Sequence, residues 1–369
     1  NFDPLATVDD SSCCYNLGQL FTQIGQDIDG EAGIDFSGFA TSLSSDGSTV
    51  AIGSPYNDGN GTNSGHVRVY KNIGGQWSQI GQDIDGEAIN DFSGRSVSLS
   101  SDGNIVAIGA RVNAGNGINS GHVRVYENIA GSWTQIGQDI DGESSGDQSG
   151  FSVSLSSDGN IVAIGANKND GNGSEAGHVR VYENISGIWT QIGQDIDGEA
   201  TGDDSGFSVS INSSGTTVAI GAPYNYGNGT NSGHVRIYEN TSGSWSQIGQ
   251  DIDGEAINDY SGRAISLSSD ATTVAIGADG NDENGTNSGH VRIYENIGGS
   301  WTQIGQDIDG ESSGDQSGFS VSLSSDGNIV AIGALYNDEN GSNSGHVRIY
   351  QNIGGFWSQI GQDIDGEAI

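Results

Sequence analysis

The sequence predicts an all-β protein, a β-propeller of four-stranded antiparallel blades built from 56-residue repeats, and three observations predict it. The segment GQDIDGE returns seven times, and the Ile before it is Ile24, Ile80, Ile136, Ile192, Ile248, Ile304 and Ile360, each 56 residues after the last. Repetition that regular makes the repeat the packing unit, so neighbours bury one another's faces. Within a repeat, short runs alternate bulky and small side chains with a period of two, and nothing between them has a helical period.

Residues 150 to 205 show the elements in order. Phe151, Val153 and Leu155 alternate with serines, which makes a first strand with one apolar face. SerAspGly at 157 to 159 turns the chain, and 162 to 166 (VAIGA) form a second strand with large residues on one parity and small ones on the other. A long polar loop, NKNDGNGSEAG, leads to a third strand at 178 to 182, and AsnIleSerGly turns into a fourth that starts at Trp189 and ends in GQDIDGE. Four short strands per unit make a propeller blade or a related all-β stack. If the large face of one sheet lies on the Ser, Ala and Gly face of the next, the sheets approach without voids.

Closure has two solutions. The chain holds six sets of the first three strands but seven copies of the fourth, counting LFTQIGQDIDGE. Either six blades close with the early copy completing the last sheet, or a seventh blade is finished by residues beyond these; an open superhelical stack is the lesser alternative.

The totals exclude several functions. With 48 acidic against 11 basic residues the net charge is −37, which opposes binding to nucleic acid or anionic membrane and favours cations as partners. No run approaches the ~18 apolar residues of a membrane span. The 62 Gly and 3 Pro fit frequent tight turns, and 33% hydrophobic residues, spread in short runs, argue against disorder. The chain has no Met and no signal peptide before Asn1, which predicts that it begins after processing or is cut from something longer. Its cysteines are the adjacent Cys13 and Cys14, a pair that bridges only with strain, so outside partners are expected.

The elements FSVSLS, DG, VAIGAP, SGHVRVY and WTQIG resemble the FG-GAP repeats of integrin-α-type propellers, in the form carried by large secreted bacterial surface proteins, over residues 20 to 369. The match is tightest in VAIGAP at 218 to 223, and the Pro occurs in two units, Pro55 and Pro223. The calcium loop of that family, DxDxDG, is shortened here to SerAspGly, so its site is not carried over; Asp46, Asp102, Asp158, Asp270 and Asp326 read as turn residues, replaced by Ser214 in one unit. Residues 1 to 19 resemble the end of a Cys-containing, Asp-rich module found beside such arrays.

The acidic cluster is the sharpest candidate for a site: Asp27, Asp29, Glu31 and Asp35, then Asp83, Asp85, Glu87 and Asp91, then Asp139, Asp141, Glu143 and Asp147. The other units give Asp195, Asp197, Glu199 and Asp203, then Asp251, Asp253, Glu255 and Asp259, then Asp307, Asp309, Glu311 and Asp315. Four carboxylates within nine residues repel one another unless a cation or strong donors intervene, and Ca2+ takes six to eight oxygens from such loops. The other reading puts the first two Asp on opposite faces of a strand end and makes the last a turn cap. His66, Arg68 and Tyr70, with their copies, share one strand face and pair with acidic groups or stack between blades; a ring of six His would hold metal only if it lined the axis. The six Trp fill the outer edge of each sheet rather than forming a sugar platform. AsnGlyThr or AsnGlySer in five long loops, as at Asn60 and Asn172, is a glycosylation acceptor in a eukaryotic secretory pathway and incidental in a bacterium.

No nucleophile constellation is visible, because near-identical units offer each group six times in the same setting. The leading expectation is therefore a non-enzymatic, extracellular or cell-surface module that uses its variable long-loop rim to recognise glycans or proteins. A spacer in a giant surface protein, packed against further repeats of the same polypeptide, is the alternative, and a polysaccharide lyase or glycosidase the third.

Overall fold

The computed structural model describes residues 21 to 367, so Cys13, Cys14 and the whole of the proposed tail at 1 to 19 lie outside the described residues. Six antiparallel sheets follow one another, at 40–85, 96–141, 152–197, 208–253, 264–309 and 317–365, and we number them blades 1 to 6. The protein is a six-bladed propeller, and no helix occurs among the described residues.

Blade 3 is typical. Its strands are Ser152–Leu155, Ile161–Ala166, His178–Ile185 and Ile188–Gln191, in that order from the axis outward. The predicted strands are all present, and one more was missed. Ile196–Asp197, inside GQDIDGE, pairs back on the start of the third strand, with His178 opposite Asp197 and Val179 opposite Ile196. The eight-residue third strand thus pairs with the fourth at its far end and with the GQDIDGE segment at its near end. The glycine of that segment is obligatory, because a Cβ on Gly198 would stand 2.0 Å from the Ala176 carbonyl oxygen.

Blades meet large face on small face. Ala51, Val67, Val69 and Ile84 of blade 1 pack on Val97, Leu99, Val106, Ile108, Tyr126 and Trp133 of blade 2, and four further clusters repeat the arrangement down to blade 6. Each large side chain removed from water contributes ~1.5 to 3 kcal/mol, so cohesion resides between the sheets. Polar clasps fix the spacing. Trp133 Nε1 donates to the Ile80 carbonyl at 2.8 Å, and Gln82 Nε2 donates to the Trp133 carbonyl at 2.8 Å. The Trp thereby fills the outer edge of its sheet, as the sequence indicates.

The seam between blades 6 and 1 differs. Leu43 of blade 1 is 59% exposed where its copy Leu99 is 7% exposed, and Ile364 of blade 6 is 40% exposed where Ile308 is 3% exposed. Phe21, in the early copy of the fourth strand, exchanges hydrogen bonds with Gln362 (3.2 and 3.3 Å), the clasp that Trp makes elsewhere. That copy does not complete the last sheet, which ends on its own Phe356–Gln359; it stands between blades 6 and 1.

Candidate functional site

The first strands of neighbouring blades touch one another, so they line the axis, and the residue just before each of them stands at its mouth. Around the ring these are Phe39, Arg95, Phe151, Phe207 and Arg263, and Phe319 holds the same repeat position inside the longer first strand of blade 6, Ser317–Leu323. Phe151 and Phe207 approach to 4.8 Å between ring centres, and Arg95 lies over Phe39 at 4.6 Å and over Phe151 at 4.4 Å. Arg263 repeats the motif three blades on, over Phe207 at 5.5 Å and Phe319 at 5.1 Å. Guanidinium over a ring face gains cation–π attraction without neutralising its charge.

The residues after each second strand form a second tier. Arg111 donates from Nη1 to Gln148 Oε1 at 2.9 Å, Lys168 pairs with Asp204 at 2.9 Å, and Arg263 Nε lies 3.2 Å from Asp279 Oδ2. No carboxylate pairs with Arg95 or Arg111 among the described residues. Burial, then the charges of Arg111 and Arg263, bring the Arg95 guanidinium down to about 10, which leaves it cationic at neutral pH. Asp279 is 4% exposed, its Oδ1 has no partner, and burial pushes its carboxyl up to about 6 against the pull of Arg263. Blade 1 carries a separate groove of about 610 Å³ lined by Phe36, Tyr56 and Asp58 among others.

The predicted acidic clusters lie farther out, and each is divided among three environments. The last Asp is a buried turn cap: Asp91 Oδ2 accepts from the Ala88 N–H at 2.9 Å and from Asn113 Nδ2 at 3.0 Å, and Asp147, Asp203 and Asp315 do the same with their own neighbours. The first two, Asp83 and Asp85, are not on opposite faces: both act on His66, and in blade 5 Asp307 and Asp309 reach the same space beside His290. Residues two apart in extended chain point to one side, which is why. The Glu crosses to the next blade, where Glu87 lies 3.5 Å from Arg124 Nη1 and 3.9 Å from His122 Nδ1. The His is buried, and its pKa falls to about 4 in blades 2 to 5, chiefly through desolvation.

Residues 196–238 and 308–350 match the FG-GAP repeat family. The chain carries FG-GAP repeats. No curated protein matches this chain. Solved structures similar to it include the periplasmic gluconolactonase of Pseudomonas aeruginosa, at 16% identity and TM-score 0.58 over 89% of this chain and 85% of that one. A candidate 6-phosphogluconolactonase from Bacteroides uniformis gives 13% identity and TM-score 0.62 over 89% and 86%. Hydrazine synthase of Kuenenia stuttgartiensis gives 14% identity and TM-score 0.55 over 89% and 80%.

At these identities the likeness is one of fold, and it corrects the expectation of a non-enzymatic recognition or spacer module. Propellers of this shape include proteins named as lactonases. The physical premise also fails: the units are alike where they pack, but at the axial mouth they differ, and Arg95, Asp279 and Lys168 each occur at their position in few units. Reading one repeat at a time missed this constellation. Its signal was the departure of three positions per unit from the repeat.

Proposed function

We propose that the axial mouth is the active site of a hydrolase that opens the lactone ring of a sugar acid. The observation that carries this reading is Asp279, a buried carboxyl with a raised pKa, an unpartnered oxygen and an arginine on its other oxygen, in a mouth that also holds an unpaired arginine. Buried carboxyls tuned toward neutrality are what general-base chemistry requires. Ionised Asp279 takes a proton from water as its oxygen adds to the lactone carbonyl carbon. Arg95 donates to the carbonyl oxygen as it becomes an oxyanion. Collapse breaks the ring C–O bond, the leaving alkoxide takes the proton back from Asp279, and the carboxylic acid so formed releases its own proton to solvent, leaving a hydroxy acid whose carboxylate faces Arg95 and Arg111.

The ring of Phe39, Phe151, Phe207 and Phe319 suits the apolar face of a sugar ring. A chain of −37 repels the anionic product once it leaves the mouth. The lactonase names of similar propellers support the substrate class, and the periplasmic one among them supports a reaction outside the cytoplasm.

The test is proton release from an aldonic acid δ-lactone and from its phosphorylated form, corrected for spontaneous opening. Turnover should rise with pH through about 6 as Asp279 ionises. D279N should lower kcat by about 10²-fold or more, the usual worth of a positioned base, and R95Q should lower kcat/KM. Turnover unchanged in both variants, or absent from the native chain, would remove the reading.

A further inference from the structure

We propose that blades 5 and 6 each bind one divalent first-row transition-metal ion, of the Zn2+ class, on a His and three carboxylates at the blade's loop-bearing end. In blade 5 the set is Glu283, His290, Asp307 and Asp309, each placing one ligand atom within 4.8 Å of the others. In blade 6 it is Glu311, Glu339, His346 and Asp363, under the same limit.

The imidazoles point to a missing ligand. His290 is 0% exposed, neither ring nitrogen has a hydrogen-bond partner, and Nδ1 lies 3.7 Å from Asp307 Oδ2. Beside it Asp309 Oδ1 is also buried and unpartnered. His346 Nδ1 is unpartnered too, 3.8 Å from Glu311 and 3.9 Å from Asp363. These gaps are too long for hydrogen bonds and suit donors around one cation. An unpartnered buried imidazole and a knot of carboxylates are each costly alone, and a shared cation relieves both. The imidazole nitrogen selects a transition metal over Ca2+ or Mg2+, which take oxygen. Arg292 does not close the site, since its Nη1 lies 3.3 Å from Glu255 and its Nη2 donates to the Asp253 carbonyl.

Sequence differences single out these two blades. The long loop carries Glu283 and Glu339 where the other four units have Gly59, Gly115, Gly171 and Gly227. A Cβ on Gly115 would stand 3.2 Å from Asp141 Oδ1, so a side chain at this loop position is aimed at the second Asp. The Glu supplies the fourth ligand that blades 1 to 4 lack, and three-ligand sets bind more weakly.

The experiment strips the native chain with chelator, dialyses it against Zn2+ and measures bound metal, with Co2+ absorption as a second readout of imidazole ligation. Two tightly held ions per chain are expected, falling to none in the E283G/E339G variant, which restores residues that four sister blades already carry and so keeps the fold. H290Q should remove one ion and its Co2+ band. Absence of retained Zn2+ in the native chain would overturn the proposal, as would unchanged stoichiometry in E283G/E339G or ready displacement of Zn2+ by millimolar Ca2+.

Discussion

His178 shows what enclosing an imidazole between blades costs. Burial, helped by Arg180, lowers its pKa to about 4, while Asp195 at 3.9 Å and Asp147 pull it upward and lose. The unfolded chain titrates near 6.5, so stability is full above that value and falls as pH drops through it, because the unfolded state takes up the proton first. The loss is complete below about 4 and is on the order of 3 kcal/mol per residue. Melting measured in chelator at pH 7 and pH 4.5 should therefore show a smaller drop in midpoint for H178Q than for the native chain. Equal drops would mean that this imidazole is not held neutral. Its burial was hidden in the sequence, where the alternation of His, Arg and Tyr fixes a shared face but not which blade covers it.

At the scale of the strand, burial follows position in the ring rather than residue type. Leu99 and Leu43 occupy the same place in the first strands of blades 2 and 1, yet one lies under a neighbour and the other faces solvent. L99A should cost ~2 to 5 kcal/mol, as core truncations do. L43A should stay within about 1 kcal/mol, because little area is returned to water. Denaturant midpoints of the two variants compare them directly, and similar losses would show that the seam is covered in solution. The four main strands and their turns were legible because alternation and SerAspGly chemistry are local signals. The two-residue strand Ile196–Asp197 was not, since it exists only through pairing with His178 and Val179 some eighteen residues earlier.

For the whole molecule, five matched interfaces and one seam imply unequal stability around the ring. Blades 3 and 4 are covered on both faces, whereas blades 1 and 6 each leave one face partly open and are bridged by the early fourth-strand copy, through Phe21–Gln362 on one side and Ile24–Trp77 on the other. Amide hydrogen exchange should run fastest in blades 1 and 6 and slowest in 3 and 4, as expected when units are held by nearest neighbours. Uniform protection would contradict that order. Large-on-small packing was readable from one repeat. The axial mouth was not, because Arg95, Arg263 and Asp279 meet only when positions 56 residues apart are drawn to one axis. Since the packing surfaces and Trp–Gln clasps of the five matched interfaces recur with only conservative changes while the mouth-facing positions do not, one cassette could be traded for another by recombination with the joints intact. Gene conversion among copies would then re-deal the chemistry of the channel entrance at almost no cost to folding.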